Sequence, residues 1–148
     1  MITSIEEDAA VVVRREIRIA APIDRVWHLH TDVNGWRRWQ TDIDTAYADG
    51  PLLPGSTFHW STAGLNIAST VYAMAAPHRI LWGGPAHGIT GVHEWTFTAE
   101  GNRTLVRTAE SWDGNPVRAD PHNLRAALDT SLASWLDLLR AAAETPAN

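Results

Sequence analysis

The chain has 148 residues, a formal net charge of -5 and 45% hydrophobic residues, which suits one domain with a sizeable core. The acidic balance argues against nucleic acid as a partner. The sequence contains no apolar run of about 20 residues, so we expect no membrane span. Because the sequence has neither cysteine nor lysine, it excludes thiolate chemistry, disulfides and Schiff-base cofactors. Its acidic start is unlike a signal peptide, so we expect a cytoplasmic protein.

Residues 1–148 are expected to form a single domain in which residues 1–8 and 145–148 are frayed. Residues 11–20 alternate in polarity and predict the first strand, with Ile17 and Ile19 on one face.

Two short helices are expected next. Residues 22–31 have apolar side chains at helical spacing, and Pro22 suits a first helical turn. Asn34 and Gly35 then interrupt the pattern, and Trp36 and Trp39, three residues apart, predict a second short helix anchored by two indoles.

From Asp42 onward the pattern changes to period 2, with turn signals at short intervals, and predicts five or six consecutive strands. Connections this short favour antiparallel neighbours, because a parallel crossover needs a dozen or more residues. Residues 83–88 are rich in glycine but lack the lysine of a phosphate-binding loop, so we expect a mobile loop there.

The period returns to 3.6 after Pro116, and a long helix is predicted over residues 120–143 with Asp120 as its N-cap. Its apolar stripe needs a large surface, and the sheet is the only one available. The predicted fold class is therefore α+β, a curved antiparallel sheet wrapped around a long C-terminal helix. The stripe consists of Leu124, Leu128, Leu132, Trp135, Leu139 and Ala142.

Two strands around the turn at residues 100–103 place ionisable groups among aromatic side chains. In the expected register His93 lies opposite Glu110, where Cβ atoms are about 4.5–5.5 Å apart. An imidazole and a carboxyl group that touch in an apolar wall can share a proton and act as a general acid and base. The alternative is a structural hydrogen bond between two groups that would otherwise lack partners.

The sequence resembles the START-like or SRPBCC superfamily, also described as polyketide cyclase/dehydrase and lipid transport proteins, which has the helix-grip fold. The resemblance covers nearly the whole chain, and the downstream motifs are similar to an actinobacterial cyclase-like branch. The motifs that carry it, in order, are residues 19–27, 32–39, 58–60 with 67–71, 77–84, 88–97 and 101–112.

The resemblance implies a deep apolar cavity between sheet and helix that holds a hydrophobic, aromatic or polyketide-like small molecule. His93 and Glu110 are the candidate catalytic residues. We expect no cofactor and no metal, since the seven histidines lack close ligand spacing, and either a monomer or a homodimer. The candidate ligand-binding residues are Phe58, Trp60, Ser69, Trp82, Trp95, Phe97, Thr108 and Trp112.

The leading functional hypothesis is ligand binding with cyclisation or dehydration by general acid–base action. The first alternative is a carrier or sequestering protein for a lipophilic ligand, without catalysis. The second is a co-chaperone-like interaction module, which would need an exposed apolar patch.

Overall fold

The computed structural model describes residues 1–146 and has the predicted helix-grip architecture. The elements are β1 (Val11–Ile19), α1 (Ile23–Thr31), a 3-10 helix (Val33–Arg38), β2 (Ile43–Tyr47), β3 (Thr57–Thr62), β4 (Leu65–Ala75), β5 (Arg79–Ala86), β6 (Ile89–Glu100), β7 (Arg103–Asp113), α2 (Asn115–Ala119) and α3 (Pro121–Glu144). The seven strands form one antiparallel sheet in the order β1-β7-β6-β5-β4-β3-β2, so that β7 lies between β1 and β6. The sheet's inner face packs on the helices and its outer face points away from them.

The hairpin of β6 and β7 has the predicted register. His93 pairs with Glu110, and this pairing continues to Glu100 opposite Arg103. The loop itself is shorter than expected, because only two residues, Gly101 and Asn102, separate the strands. Gly101 has φ +64°, a left-handed conformation that glycine adopts without steric cost.

Residues 83–86 are not the loop that the sequence predicts, because they continue β5 and pair with residues 89–92 of β6. The turn consists of His87 and Gly88, which both have positive φ. Gly83 is required at its position, since a Cβ there would lie 2.1 Å from the carbonyl oxygen of Gly91. Close approach of two backbones, rather than a turn, explains this glycine.

The long helix α3 lies on the sheet with the predicted stripe inward. Its buried residues include Leu128, Leu132, Trp135 and Leu139. Two details differ from the expectation: Asp120 stands at the N-cap without a capping hydrogen bond from its side chain, and the last buried residue is Ala143, one position beyond Ala142. No helix within residues 1–146 is both long and apolar enough to cross a lipid bilayer.

The two short helices close one end of the inner face. Helix α1 buries Val26, Trp27 and His30, and the 3-10 helix buries Trp36. The ring of Trp36 has no solvent exposure, whereas Trp39 is only partly buried. Of the two predicted anchors, Trp36 is therefore the deeper one.

The N-terminal segment, which was expected to be frayed over residues 1–8, contacts the outer face through Ile5, whereas the other residues of this stretch are exposed. Ile5 is 5% exposed and lies with Leu81 and Val92 in a small apolar cluster. The backbone N–H of Glu6 donates to the Ser111 hydroxyl at 3.0 Å. At the other end, the Thr145 carbonyl accepts a hydrogen bond from Arg25. Residues 147–148, which were also expected to be frayed, lie outside the described residues.

Candidate ligand cavity and its acid–base pair

A cavity of about 250 Å³ lies between the inner face of the sheet and the middle of α3. Side chains from β3 to β7 form its walls, and Leu128, Ser131 and Trp135 of α3 close it from the other side. Leu65 and His87, from the β3–β4 and β5–β6 hairpins, belong to the same lining. Because both are exposed, we place the mouth of the cavity between these two hairpins.

Six of the predicted site residues line this cavity, and four do not. Side-chain alternation identifies the inner face of a strand, but it does not tell which part of that face the helices cover. Phe58 packs on Trp36 of the 3-10 helix with ring centroids 5.5 Å apart, and Phe97 packs on Trp27 of α1 at the same distance. The residues in the lining are Trp60, Ser69, Trp82, His93, Glu110 and Trp112. Those outside it are Phe58, Trp95, Phe97 and Thr108.

His93 and Glu110 are in contact, as their predicted pairing implies. The His93 Nδ1 atom lies 3.0 Å from Glu110 Oε1. The His93 side chain is 3% exposed and that of Glu110 is 16% exposed, so the carboxyl group is the member that a ligand can reach more readily. The imidazole lies between the rings of Trp82 and Trp95, at centroid distances of 4.9 and 5.0 Å.

Thr108 orients the imidazole rather than lining the cavity. Its hydroxyl donates to the Glu94 carbonyl at 3.1 Å and lies 2.7 Å from His93 Nε2. Since the single hydroxyl proton is directed at Glu94, the Nε2 atom must donate to Thr108. The Nδ1 atom then faces Glu110 at hydrogen-bond distance, which requires one proton between nitrogen and oxygen. The pair is therefore either an imidazolium with a carboxylate or two neutral groups.

Trp112 holds the second oxygen of the same carboxyl group. Its indole Nε1–H donates to Glu110 Oε2 at 2.6 Å. Gly91 lies opposite Trp112 in the sheet, and the indole Cδ1 lies 3.4 Å from the position of a Cβ at Gly91. A residue larger than alanine at this position would displace the ring and the hydrogen bond that it makes.

Gln40 and Trp135 belong to the cavity although the sequence offered no reason to place them there. Gln40 follows the 3-10 helix and is 1% exposed, with its Oε1 accepting the backbone N–H of Asp42 at 2.8 Å. Trp135, which the helical stripe assigns to the core, both packs on Trp36 at 5.1 Å and lines the cavity. Single polar residues in an irregular segment follow no periodic pattern, so Gln40 had no detectable signal.

The cavity offers few polar groups that are not already paired within the protein. The Trp60 indole N–H donates to the Ser69 hydroxyl at 3.1 Å, and the two nitrogens of His93 are engaged as described. Among residues 1–146 no arginine belongs to the lining, and the sequence contains no lysine. The ionisable residues that line it are Asp42, His87, His93 and Glu110.

A larger groove of about 470 Å³ lies on the outer face, and Thr108 is the one predicted site residue in its lining. Its charged side chains are paired within the protein: Arg14 with Glu7, Arg107 with Glu16 and Glu94 with Arg79. These exposed ion pairs are typical of a solvated surface. Within residues 1–146 no group of three or more histidine, aspartate or glutamate side chains is placed to hold a metal ion.

His30 is a second buried histidine, separate from the pair. Its ring lies among four aromatic side chains, with Trp95 closest at 4.3 Å, and neither nitrogen has a partner among the described residues. Burial lowers the pKa of His30 well below its usual value of 6.5, and the nearby His93 lowers it further. The imidazole is therefore neutral at physiological pH.

A family model described as polyketide cyclase / dehydrase and lipid transport matches residues 10–144. The chain belongs to this family. The match contains every strand and helix given above, so the family assignment covers the whole cavity. No curated protein shows significant sequence similarity to the chain.

Solved structures with the same fold include members with and without a described activity. A hypothetical protein from Helicobacter pylori has a TM-score of 0.82 at 19% identity, covering 97% of this chain and 98% of that one. A START superfamily protein from Mycobacterium smegmatis has a TM-score of 0.75 at 12% identity, with coverage of 90% and 97%. The Zhui aromatase/cyclase from Streptomyces sp. R1128 has a TM-score of 0.77 at 18% identity, with coverage of 90% and 93%. At these identities the likeness establishes the fold alone.

Proposed function

We propose that the protein binds a hydrophobic aromatic or polyketide-like molecule in the cavity and promotes its cyclisation or dehydration by general acid–base action. The observation that carries this proposal is the contact between His93 and Glu110 in the wall of an aromatic cavity. A coupled acid and base beside an apolar space is what proton transfer to a bound organic molecule needs.

The binding half of the proposal rests on the shape and lining of the cavity. Four indoles surround a space of about 250 Å³, and aromatic walls bind flat apolar molecules through their large contact area. The family description and the aromatase/cyclase among its structural relatives agree with such a ligand.

The catalytic half of the proposal rests on proton transfer between the His93–Glu110 pair and the bound ligand. At rest the pair holds one shared proton, and Glu110 faces the ligand. In a dehydration, the carboxylate takes a proton from the carbon next to a carbonyl group. The pair then gives a proton to the departing hydroxyl group, a carbon–carbon double bond forms, and water leaves. The pair returns to its starting state, with Thr108 holding the imidazole in one orientation throughout.

One observation favours the alternative, a carrier without catalysis. Both nitrogens of His93 and both oxygens of Glu110 already have hydrogen-bond partners in the protein. Pairing of buried polar groups in the cavity wall is by itself a sufficient reason for such a network, without any catalytic role.

The rate of a simple dehydration separates the two functions. The probe is 4-hydroxy-4-phenylbutan-2-one, whose loss of water gives a conjugated enone that absorbs in the ultraviolet. For an enzyme, Glu110→Gln and His93→Asn each lower kcat by about 10²- to 10⁴-fold, and the double variant is little worse than either single one. Glu94→Gln, the same change of residue on the outer face of the neighbouring strand β6, leaves kcat unchanged.

A carrier gives a different pattern in the same assay. The probe then quenches tryptophan fluorescence saturably, while the unaltered protein and the double variant release the enone at the same rate as buffer. Absence of saturable quenching by any apolar aromatic molecule contradicts both functions, because both need an occupied cavity.

A further inference from the structure

We propose that the ligand of this cavity is a neutral aromatic molecule of about two fused rings with a hydroxyl group that donates a hydrogen bond to Glu110. This rests on the proposed function in one respect, namely that the cavity binds an aromatic molecule. It adds the size, the charge and the polar group of the ligand, which the fold does not specify.

The size follows from the volume of the cavity. An apolar cavity of about 150 Å³ in another protein is large enough for benzene. The present cavity, at about 250 Å³, has room for a second fused ring with one small substituent. A long acyl chain or a molecule of four fused rings would project through the mouth into solvent.

The hydroxyl group of the proposed ligand follows from the hydrogen bonds that the Glu110 carboxyl group can still accept. One oxygen faces His93 and the other accepts from Trp112. Wherever the shared proton lies, on nitrogen or on oxygen, the carboxyl group presents only lone pairs to the cavity. A ligand group in contact with it must therefore be a donor, and a hydroxyl on a flat ring is the smallest such group.

The neutral charge follows from the rest of the lining. Within residues 1–146 the cavity has no arginine to pair with an anion. Two of its four indoles, Trp60 and Trp112, already donate their N–H groups to acceptors in the protein, and an indole N–H supplies no full counter-charge. A carboxylate placed here would lose its water without gaining a counter-charge, which is costly. Asp42, exposed at the edge of the lining, adds a further negative charge. The cavity therefore discriminates against fatty acids and aromatic acids.

Three probes of nearly equal size test these statements: 2-naphthol, which donates a hydrogen bond; 2-methylnaphthalene, which does not; and 2-naphthoate, which is an anion. Affinities are measured by tryptophan quenching and by calorimetry at neutral pH. We expect 2-naphthol to bind the unaltered protein about tenfold more tightly than 2-methylnaphthalene, because only 2-naphthol donates a hydrogen bond to Glu110. We expect 2-naphthoate to bind at least about tenfold more weakly than 2-naphthol.

The variants Glu110→Gln and Glu94→Gln locate the effect. Glu110→Gln lowers the preference for 2-naphthol over 2-methylnaphthalene by about tenfold and raises the affinity for 2-naphthoate. Glu94→Gln removes a carboxylate of the neighbouring strand β6 on the outer face, beside Arg79, and changes neither ratio.

The outcomes distinguish this inference from the proposed function. If all three probes bind the unaltered protein equally well, or if 2-naphthoate binds best, the inference is wrong although the cavity binds aromatic molecules. If none of the three gives saturable quenching, the proposed function fails and this inference fails with it. The comparison of the probes on the unaltered protein needs no variant, so it holds even if Glu110→Gln does not fold.

Discussion

His30 makes the stability of the protein depend on pH in a direction that the structure fixes. The imidazole is buried among aromatic rings without a hydrogen-bond partner among residues 1–146, and its pKa in the folded protein lies well below 6.5. In the unfolded chain the same group has its usual pKa of 6.5. Below that pH the unfolded state binds a proton that the folded state does not, so stability falls as pH falls.

The size of the effect can be worked out by linkage. If the folded imidazole stays neutral at about pH 5, the unfolded state gains about 2 kcal/mol relative to about pH 8. The assay is urea denaturation of the unaltered protein and of His30→Leu, which keeps similar volume but cannot titrate. The difference in unfolding free energy between the two proteins should move by about 2 kcal/mol in favour of the variant between about pH 8 and about pH 5. Differences in packing cancel in this comparison.

His122→Gln is the matched control for the loss of a histidine, because His122 is exposed on α3. Parallel pH profiles for the unaltered protein and His30→Leu would refute the assignment of a neutral, unpartnered imidazole to the core.

Three further predictions concern packing and orientation. Leu132→Ala should cost about 2–5 kcal/mol in chemical denaturation, and Leu128→Ala should cost less. Both side chains are fully buried, but only Leu128 borders the cavity and so lacks packing partners on one side; equal costs would contradict this placement. Gly83→Ala should lower the unfolding free energy by about 1–3 kcal/mol in the same assay, since the new Cβ would lie 2.1 Å from the Gly91 carbonyl oxygen. A neutral effect would contradict the close contact between the two strands. Thr108→Val should shift the ¹⁵N resonances of the His93 imidazole toward a mixture of tautomers, whereas Thr108→Ser should preserve them; unchanged shifts in the valine variant would show that Thr108 does not orient the ring.

The register of β6 and β7 could be predicted from the sequence because two independent constraints agree. The glycine turn at residues 101–102 fixes where the chain reverses, and the aromatic face must point to the core. A shift by one residue would have moved Glu110 to the outer face. The contact between His93 and Glu110 was therefore predictable from the pattern alone.

The sequence does not predict which inner-face side chains the helices cover and which border the cavity. Trp95 and Trp82 alternate identically along their strands, yet Trp95 is covered by His30 and Trp135 and has no exposure, whereas Trp82 borders the cavity. The difference depends on where α1 and α3 cross the sheet, which is a tertiary property.

The burial of Ile5 could not be predicted for a related reason. Ile5 is one apolar residue in a polar segment and forms no periodic pattern, so nothing indicated that it would pack on Leu81.

The position of the ligand is the central claim, and the indole resonances of the eight tryptophans test it most directly. In a ¹H–¹⁵N titration with 2-naphthol, the account predicts saturable shifts with a single dissociation constant for Trp60, Trp82, Trp112 and Trp135, which line the cavity. Trp27, which packs on Phe97 beneath α1, should not shift. Shifts at Trp27 without shifts at the four lining indoles, or no saturable shift at all, would contradict a ligand site between the sheet and α3.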